Sequence, residues 1–265
     1  RMSETEILHV ENVSKYFGGL AAVNNCSLRI KKGSITGIIG PNGSGKTTLF
    51  NLIAGNIKST NGSVIFNNEN ITNIPSYQLF SKGLLRTFQI AHEFSNLTVL
   101  ENLMMVPGNQ SGENLVKALI YPKLVEKEEI ELKAKALDVI EFLNLKHLSN
   151  ELAGNLSGGQ KKLLELGRTM MVDAKLVLLD EVGAGVNRSL LKDLGTAILR
   201  LNKEKGYTFC MIEHDIEFIS RMCNPVIVMS EGSVLFEGTC EEVKKNEKVI
   251  DSYLGRANLK NKDSN

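Results

Sequence analysis

The sequence has no tryptophan, only five prolines and only four cysteines among its 265 residues. The cysteines, at positions 26, 210, 223 and 240, form no Cys-x-x-Cys pair. This spacing argues against a zinc site and indicates reduced, mostly packed thiols. The sequence also lacks an excess of either charge, because 31 Lys and Arg residues are balanced by 30 Asp and Glu residues, for a formal net charge of +1. The charge balance therefore gives no reason to expect a nucleic acid or an anionic membrane surface as a partner.

Long hydrophobic runs are missing as well. No run approaches the roughly 18 apolar residues that a membrane-spanning helix needs. Residues 1–6 contain no hydrophobic core of a signal peptide. We therefore expect a chain that stays in the cytoplasm. With 42% hydrophobic residues over this length, the chain can bury a substantial core in one large domain or two small ones.

Residues 40–47 fit the phosphate-binding loop G-x-x-x-x-G-K-[ST]. They lie between an apolar run at 34–39 and a helix-like stretch at 48–54, where such a loop must lie. Its glycines let successive N–H groups point at phosphate oxygens, Lys46 reaches the β and γ phosphates, and the hydroxyl of Thr47 suits Mg²⁺. The sequence therefore predicts nucleoside triphosphate binding. The residues predicted to contact the phosphates are Asn42, Gly43, Ser44, Gly45, Lys46, Thr47 and Thr48.

The remaining pattern predicts an α/β fold with three parts. Strand-like segments at 8–10, 27–30 and 63–67 indicate an antiparallel β subdomain. Apolar strands at 176–179, 207–212 and 226–229 alternate with helical segments and extend the core sheet that feeds the loop. Between them lies a helix-rich insertion. Its amphipathic face is predicted from the spacing of Ile130, Ala134, Leu137, Ile140 and Leu143.

These segments predict one nucleotide-binding domain over residues 1–265. Its β/α core comprises residues 5–90 and 168–254, with a mixed sheet, and its helical subdomain comprises residues 91–167. The last ordered helix is predicted to end near Leu254, and residues 255–265 are predicted to form a flexible tail.

Residues 156–160 read Leu-Ser-Gly-Gly-Gln. About twenty residues later, an apolar strand ends in the carboxylates Asp180 and Glu181. The order of phosphate loop, Leu-Ser-Gly-Gly-Gln signature and carboxylate pair resembles the ATP-binding cassette (ABC) ATPase family. Ser157 and the glycine N–H groups can form a second phosphate-binding nest at a helix N-terminus.

The resemblance implies that two cassettes face head to tail. Each ATP then lies between the phosphate loop of one cassette and the signature of the other. In this arrangement, the nucleotide held by the partner cassette would be contacted by Ser157, Gly158, Gly159, Gln160 and Asn187 of this chain.

The two carboxylates have separable roles. Asp180 is expected to orient Mg²⁺ through a water molecule, because Mg²⁺ keeps much of its hydration shell. Glu181 is expected to act as the general base that positions the attacking water. Two carboxylates that merely end a strand are the structural alternative.

Three further roles follow from the resemblance. Gln89 matches the glutamine that touches the metal and the nucleophilic water, and it begins the insertion that contacts the membrane partner. His214 follows a predicted strand and matches the switch histidine, which hydrogen-bonds the γ-phosphate. Phe17 falls where an aromatic ring meets adenine, with Tyr16 as the other candidate, and the choice between ATP and GTP stays open.

The sequence departs from the family pattern at two positions. Val182 stands where proline usually follows the catalytic glutamate, and Asn187 stands where aspartate is common. Losing proline frees the φ angle and restores an N–H, so we expect a less rigid loop with an altered turnover rate. Asn187 can still form hydrogen bonds across a dimer but carries no charge.

Within the family, the chain resembles ATP-binding subunits of branched-chain and related hydrophobic amino-acid importers. The similar segments are Phe-Gly-Gly-Leu at 17–20, Arg-Thr-Phe-Gln at 86–89, Leu-Thr-Val-Leu-Glu-Asn-Leu at 97–103, Leu-Ala-Gly-Asn-Leu at 152–156 and Ala-Gly-Val-Asn at 184–187. The resemblance implies two membrane permeases, a second ATPase subunit that is identical or different, and an external solute-binding protein. It places the chain peripherally on the inner face of the cell membrane.

Three alternatives stay open at this point. An ATPase of a lipopolysaccharide export system shares much of this pattern. A soluble ABC protein of iron–sulfur assembly or translation would lack permeases. A phosphate-loop kinase outside the ABC family would transfer phosphate to an acceptor, although the signature and His214 argue against it. The relatives of the importer subgroup also handle amides and urea, so the solute is not determined.

Overall fold

The computed structural model describes residues 5–87, 94–107, 122–172 and 174–260. Ten strands form two sheets within these residues. In chain order the strands are β1 (Glu6–Phe17), β2 (Leu20–Lys31), β3 (Ile35–Ile39), β4 (Asn61–Phe66), β5 (Glu69–Asn70), β6 (Leu84–Arg86), β7 (Leu176–Asp180), β8 (Thr208–Ile212), β9 (Val226–Ser230) and β10 (Ser233–Gly238).

Helices fill the intervals between many of these strands. The α-helices are α1 (Lys46–Ile53), α2 (Ser76–Lys82), α3 (Val99–Met104), α4 (Pro122–Phe142), α5 (Gly158–Met170), α6 (Arg188–Lys205), α7 (Ile216–Met222), α8 (Cys240–Lys245) and α9 (Glu247–Lys260). Short 3₁₀ turns occur at Lys146–Leu148 and Ala153–Asn155.

The larger sheet has six strands in the order β10-β9-β3-β8-β7-β6. Strands β9, β3, β8, β7 and β6 pair in parallel, and β10 adds an antiparallel edge. The central strands β3 and β8 are buried along their whole length. They read as continuous apolar runs because helices cover both faces of such a sheet. Parallel order brings the carboxyl ends of these strands to one edge, where ligands of open α/β sheets bind.

The second sheet is antiparallel, in the order β2-β1-β4-β5. Strands β1 and β2 form a long hairpin that turns at Gly18 and Gly19. The predicted α/β class, with a mixed core sheet, an antiparallel sheet and a helix-rich part, is confirmed.

The chain divides into two compact units. The first comprises residues 1–86, 175–184 and 199–265, and it contains both sheets. The second comprises residues 87–174 and 185–198, and it is built mainly of helices. No helix among the described residues is long and apolar enough to cross a membrane.

The amphipathic face predicted for α4 is right at Ile140 and Leu143, which are buried, and wrong at the residues before them. Ile130 is 62% exposed and Leu137 is 44% exposed, whereas Ala136, Val139 and Ile140 are buried. The buried residues recur at i, i+3 and i+4, so the helix keeps its period, and its buried side is shifted toward Ala136 and Val139. That side packs against α3 and α5, which the periodicity of α4 alone does not reveal.

The end of the chain also differs from the prediction. Helix α9 continues past Leu254 to Lys260.

Candidate functional site

The phosphate loop joins β3 to α1, as its motif requires. Gly45 caps the N-terminus of α1 with φ of 97°, a conformation that L side chains rarely adopt. A Cβ atom at Gly45 would lie 2.5 Å from the carbonyl oxygen of Ala22 on β2. The loop is therefore closed against the antiparallel sheet, and only glycine fits this position.

A second contact fixes the loop from the other side. The N–H of Gly232, in the turn between β9 and β10, donates to the carbonyl of Ser44 at 3.0 Å. The carbonyl of Gly232 accepts from the N–H of Asn24 on β2 at 2.9 Å. Residue Ser44 is fully buried, whereas Asn42 and Gly43 are exposed at the tip of the loop.

Lys46 folds back over the loop instead of extending into solvent. Its ammonium donates to the carbonyls of Gly40 at 2.8 Å and Pro41 at 3.1 Å, and it lies 3.3 Å from the Ser44 hydroxyl. The residue is 5% exposed. A buried cation needs such partners, and these place a positive charge inside the loop. Thr47, the next residue, is exposed, and Thr48 is half-buried.

Two carboxylates lie at the carboxyl end of β7. Asp180 is the last residue of the strand, and its Oδ2 accepts from Nη2 of Arg86 at 2.5 Å. Glu181 follows with φ of 48°, a left-handed conformation that is uncommon for a residue other than glycine. Its N–H donates to the carbonyl of Ile212 on β8 at 2.9 Å, which holds the start of the loop to the neighbouring strand.

His214 lies beside Glu181. Its Nε2 is 3.0 Å from Oε1 of Glu181, and both side chains are about half exposed. His214 follows β8 and precedes Asp215, whose carboxylate caps α7 by accepting from the N–H groups of Glu217 and Phe218. The strand end and the capped helix together determine where the imidazole lies.

The loop after Glu181 is held by a residue that sequence reasoning missed. Glu213 is buried, and its Oε1 accepts from the N–H of Gly183 at 2.7 Å. The same carboxylate lies 3.3 Å from the backbone N of His214. Glu213 therefore joins the loop of the catalytic candidate Glu181 to the strand end that carries His214. The only signal in the sequence was a glutamate directly before the histidine.

Val182, where relatives of the family usually have proline, is buried. The residue before a proline is pushed toward extended conformations. Glu181 is instead left-handed, a conformation that valine at position 182 permits.

The aromatic candidates lie at the end of the β1–β2 hairpin. Phe17 is 51% exposed, and the ammonium of Lys15 lies 5.2 Å from its ring centroid. Alternate residues of a strand face opposite sides, so Tyr16 points away from Phe17. The Tyr16 hydroxyl lies 3.5 Å from Oδ1 of Asn24. Both rings are therefore partly exposed, Tyr16 at 41%, and Lys15 lies over the ring of Phe17.

In the second unit, the signature begins helix α5. The Ser157 hydroxyl accepts from the N–H of Gln160, and Oε1 of Gln160 accepts from the N–H of Ser157 at 2.9 Å. This reciprocal capping box orders the first turn. Ser157 and Gly158 are exposed, and a Cβ at buried Gly159 would lie 2.5 Å from the side chain of Leu190.

Asn187 has a comparable local role. Its Oδ1 accepts from the N–H of Leu190 at 2.9 Å, at the beginning of α6. Asparagine is as good as aspartate in this capping role, so the departure from the family pattern keeps the local structure.

Gln89 lies outside the described residues. Among the residues that the structure does describe, no group of three or more His, Cys, Asp or Glu side chains could hold a metal ion. The cysteines are free, and Cys26, Cys210 and Cys223 are buried, as the sequence predicts.

Comparisons with known proteins show the family to which the chain belongs. A family model described as "ABC transporter" matches residues 23–184. The chain belongs to the ABC transporter family. It is therefore an ATP-binding cassette and an ATPase. The resemblance derived from the motifs is confirmed.

One curated relative is "Probable branched-chain amino acid transport ATP-binding protein LivG" of Methanocaldococcus jannaschii. It is 43% identical over 254 residues, which cover 94% of this chain and 98% of the relative. A solved ATP-binding cassette of an ABC transporter in its ADP conformation is 40% identical, with a TM-score of 0.80 over 94% of this chain and 99% of that one. A dimeric cassette in a post-hydrolysis state, bound to ADP and Pi, is 26% identical, with a TM-score of 0.71 over 88% and 99%.

The site residues of this ABC cassette fit a nucleotide with Mg²⁺. The loop is held against β2 by the close approach of Gly45 to Ala22, and the buried ammonium of Lys46 supplies positive charge for phosphate. The hydroxyl of Thr47 and the carboxylate of Asp180 are oxygen donors, the type that Mg²⁺ prefers. Few protein ligands suffice, because Mg²⁺ usually takes the rest from phosphates and water.

Proposed function

We propose that this chain is the ATP-hydrolysing subunit of an ABC importer for branched-chain or related hydrophobic amino acids. The observation that carries the proposal is its 43% identity, over 94% of its length, to a protein named for branched-chain amino acid transport. The phosphate loop, the Glu181–His214 pair and the capped signature supply the chemistry that such a subunit needs.

The nucleotide would bind along one edge of the larger sheet. The exposed ring of Phe17 stacks on adenine, and the N–H groups of residues 42–48 and the ammonium of Lys46 hold the phosphates. The Thr47 hydroxyl and Gln89 would hold Mg²⁺, and Asp180 would orient it through a water molecule. When bound, Mg²⁺ neutralises charge on the β and γ phosphates.

Hydrolysis would depend on the residues after β7 and β8. Glu181 orients the attacking water and accepts its proton, and Gln89 helps to place that water. His214 hydrogen-bonds the γ-phosphate. Its contact with Glu181 supports this assignment, because it brings the two groups within 3.0 Å of each other.

A second cassette would complete the site. Ser157, Gly158, Gly159, Gln160 and Asn187 then face the nucleotide held by the partner, which is either a second copy or a different ATPase subunit. The order of the first turn of α5 supports this role, because its capping box orients the N–H groups before a partner arrives. The dimeric cassette at 26% identity is a precedent for the pairing.

ATP-driven closure of the pair would move two integral membrane permeases, and hydrolysis would reset them. The chain would lie peripherally on the inner face of the membrane, held by those permeases. An external solute-binding protein would deliver the amino acid. We expect no nucleic-acid partner, given the net charge of +1.

The test is co-purification from native membranes. The tagged Glu181→Gln chain, with ATP present, should recover two hydrophobic permeases and a second cassette subunit from detergent extracts. The same tag on a Lys46→Ala chain tests whether recovery of the second cassette needs bound nucleotide. Recovery of soluble proteins alone would keep the ATPase and overturn the transporter. Recovery of export permeases would assign the chain to a lipopolysaccharide-type exporter.

A further inference from the structure

Arg86 makes three contacts that neither the motifs nor the comparisons assign. Its side chain is only 8% exposed. One guanidinium nitrogen, Nη2, donates to Oδ2 of Asp180, and the other, Nη1, donates to Oδ1 of Asn51. The guanidinium carbon lies 5.9 Å from the centroid of the Phe50 ring. One buried cation therefore contacts a carboxylate, an amide and an aromatic ring.

These contacts join three elements of the nucleotide site. Arg86 ends β6, and Asp180 ends the neighbouring parallel strand β7, so both lie at the carboxyl edge of the sheet. Phe50 and Asn51 belong to α1, the helix that follows the phosphate loop. The planar fork of an arginine can engage two acceptors in different directions, which a lysine ammonium on one stem does less well.

We propose that Arg86 is a positioning residue for the metal-bound nucleotide: it holds the carboxylate of Asp180 in the orientation that Mg²⁺ needs. The inference rests on the proposed function, because it takes Asp180 as the carboxylate that orients the metal. Arg86 engages Oδ2, so Oδ1 is the oxygen left for the metal or a metal-bound water. Partners of this kind orient metal-ligating carboxylates in many sites.

Arg86 has two opposite effects on the affinity for the metal. Its positive charge repels a divalent cation, whereas its hydrogen bond orients the carboxylate that attracts the cation. Asn51 and Phe50 hold the guanidinium independently of Asp180, so the guanidinium is the fixed partner and the carboxylate is the one it orients. Losing such an outer partner typically weakens metal affinity by about 10- to 100-fold.

The experiment measures metal binding without turnover. The full chain is saturated with ADP, and Mn²⁺ is titrated while electron paramagnetic resonance reports the free and bound ion. Separately, ADP affinity is measured by calorimetry in EDTA. In Arg86→Gln, the affinity of the ADP complex for Mn²⁺ should fall about 10- to 100-fold. The metal-free affinity for ADP should stay unchanged, because the phosphate loop is intact.

Graded variants separate orientation from charge. Arg86→Lys keeps the charge and one contact, so it should recover part of the Mn²⁺ affinity. Asn51→Ala removes the amide anchor and leaves the ion pair, so its Mn²⁺ affinity should be intermediate. Lys82→Gln is the matched control, because it breaks an ion pair of the same unit, with Glu69 at 2.6 Å, and should change neither affinity.

Unchanged or tighter Mn²⁺ binding by Arg86→Gln would overturn the proposal, because charge repulsion would then outweigh orientation. If Arg86→Gln does not fold, Asn51→Ala decides, and a wild-type Mn²⁺ affinity in that variant overturns it. A wild-type chain that binds no ADP, with or without metal, would overturn the proposed function instead. The two failures are therefore distinguishable.

Discussion

Nε2 of His214 lies 3.0 Å from Oε1 of Glu181 and joins the loops that follow two neighbouring parallel strands, β7 and β8. Both side chains are about half exposed, so their attraction contributes little to stability. Its importance is geometric. The same two loops are also joined by a hydrogen bond from the N–H of Gly183 to the buried carboxylate of Glu213. Glu181 and His214, the residues proposed as general base and γ-phosphate sensor, thus lie side by side in the structure.

Glu181→Gln should abolish hydrolysis and keep nucleotide binding. The amide cannot accept the proton of the attacking water, whereas the phosphate loop is unchanged, so the hydrolysis rate should fall roughly 10²- to 10⁴-fold. Phosphate release and ADP affinity measure the two effects. Glu217→Gln, which removes an exposed carboxylate of α7, is the control and should hydrolyse ATP at the wild-type rate. Undiminished hydrolysis in Glu181→Gln would remove Glu181 from its role.

Gly45→Ala should destabilise the protein and abolish nucleotide binding. The new Cβ would lie 2.5 Å from the Ala22 carbonyl oxygen, so the loop or β2 must shift. Gly206→Ala is the matched control, because Gly206 also has a positive φ, 72°, but its Cβ would meet no atom within 4 Å. The control should lose only about 1–2 kcal/mol of unfolding free energy and bind nucleotide normally. Urea unfolding and ADP titration provide both readouts, and equal behaviour of the two variants would contradict the account.

Ser157 can be tested for a cap role and a phosphate role separately. Ser157→Ala should lose about 1 kcal/mol of stability, because the N-cap of α5 is lost. Ser157→Asp keeps a good cap but places a negative charge where the partner's γ-phosphate is proposed to bind. In the Glu181→Gln background, the aspartate variant should therefore fold with wild-type stability and fail to form an ATP-dependent dimer. Sedimentation with and without ATP measures this, and a normal dimer would exclude the signature from the interface.

The cysteines should differ in reactivity. Burial raises the pKa of Cys26 to about 11 and raises the pKa values of Cys210 and Cys223 as well. A raised pKa keeps the thiol protonated at pH 8, and the thiolate is the nucleophile. Iodoacetamide should therefore modify half-buried Cys240 first and the other three only after unfolding. Peptide mass mapping over time tests this, with Cys240→Ser as the control; early labelling of Cys210 would contradict the buried core.

The fold class and the order of the motifs could be predicted because their signals are local. An apolar run followed by a glycine-rich loop and a helix can be recognised from neighbouring residues alone, without knowing which distant residues pack against them. The buried side of α4 could be predicted only in part, because apolar Ile130 and Leu137 are exposed while Val139 is buried, and the packing against α3 and α5 selects between them.

The contacts that organise the site were hidden for a related reason. Arg86 and Asp180 lie 94 positions apart in sequence, and Glu213 and Gly183 lie 30 apart. Such pairs form because parallel strands bring their carboxyl ends to one edge, and no local pattern specifies which side chains then meet. The domain boundaries and the roles of the site residues, Gln89 included, stay predictions.

ATP-driven uptake is the measurement that tests the central claim most directly. The complex recovered with the tagged wild-type chain is reconstituted in vesicles that expose the cassettes to ATP, and radiolabelled leucine, valine and isoleucine are supplied with the solute-binding protein on the opposite side. We predict accumulation against a gradient that requires ATP and is lost in Glu181→Gln. Hydrolysis that proceeds at full rate without moving any branched-chain or related hydrophobic amino acid would contradict the importer.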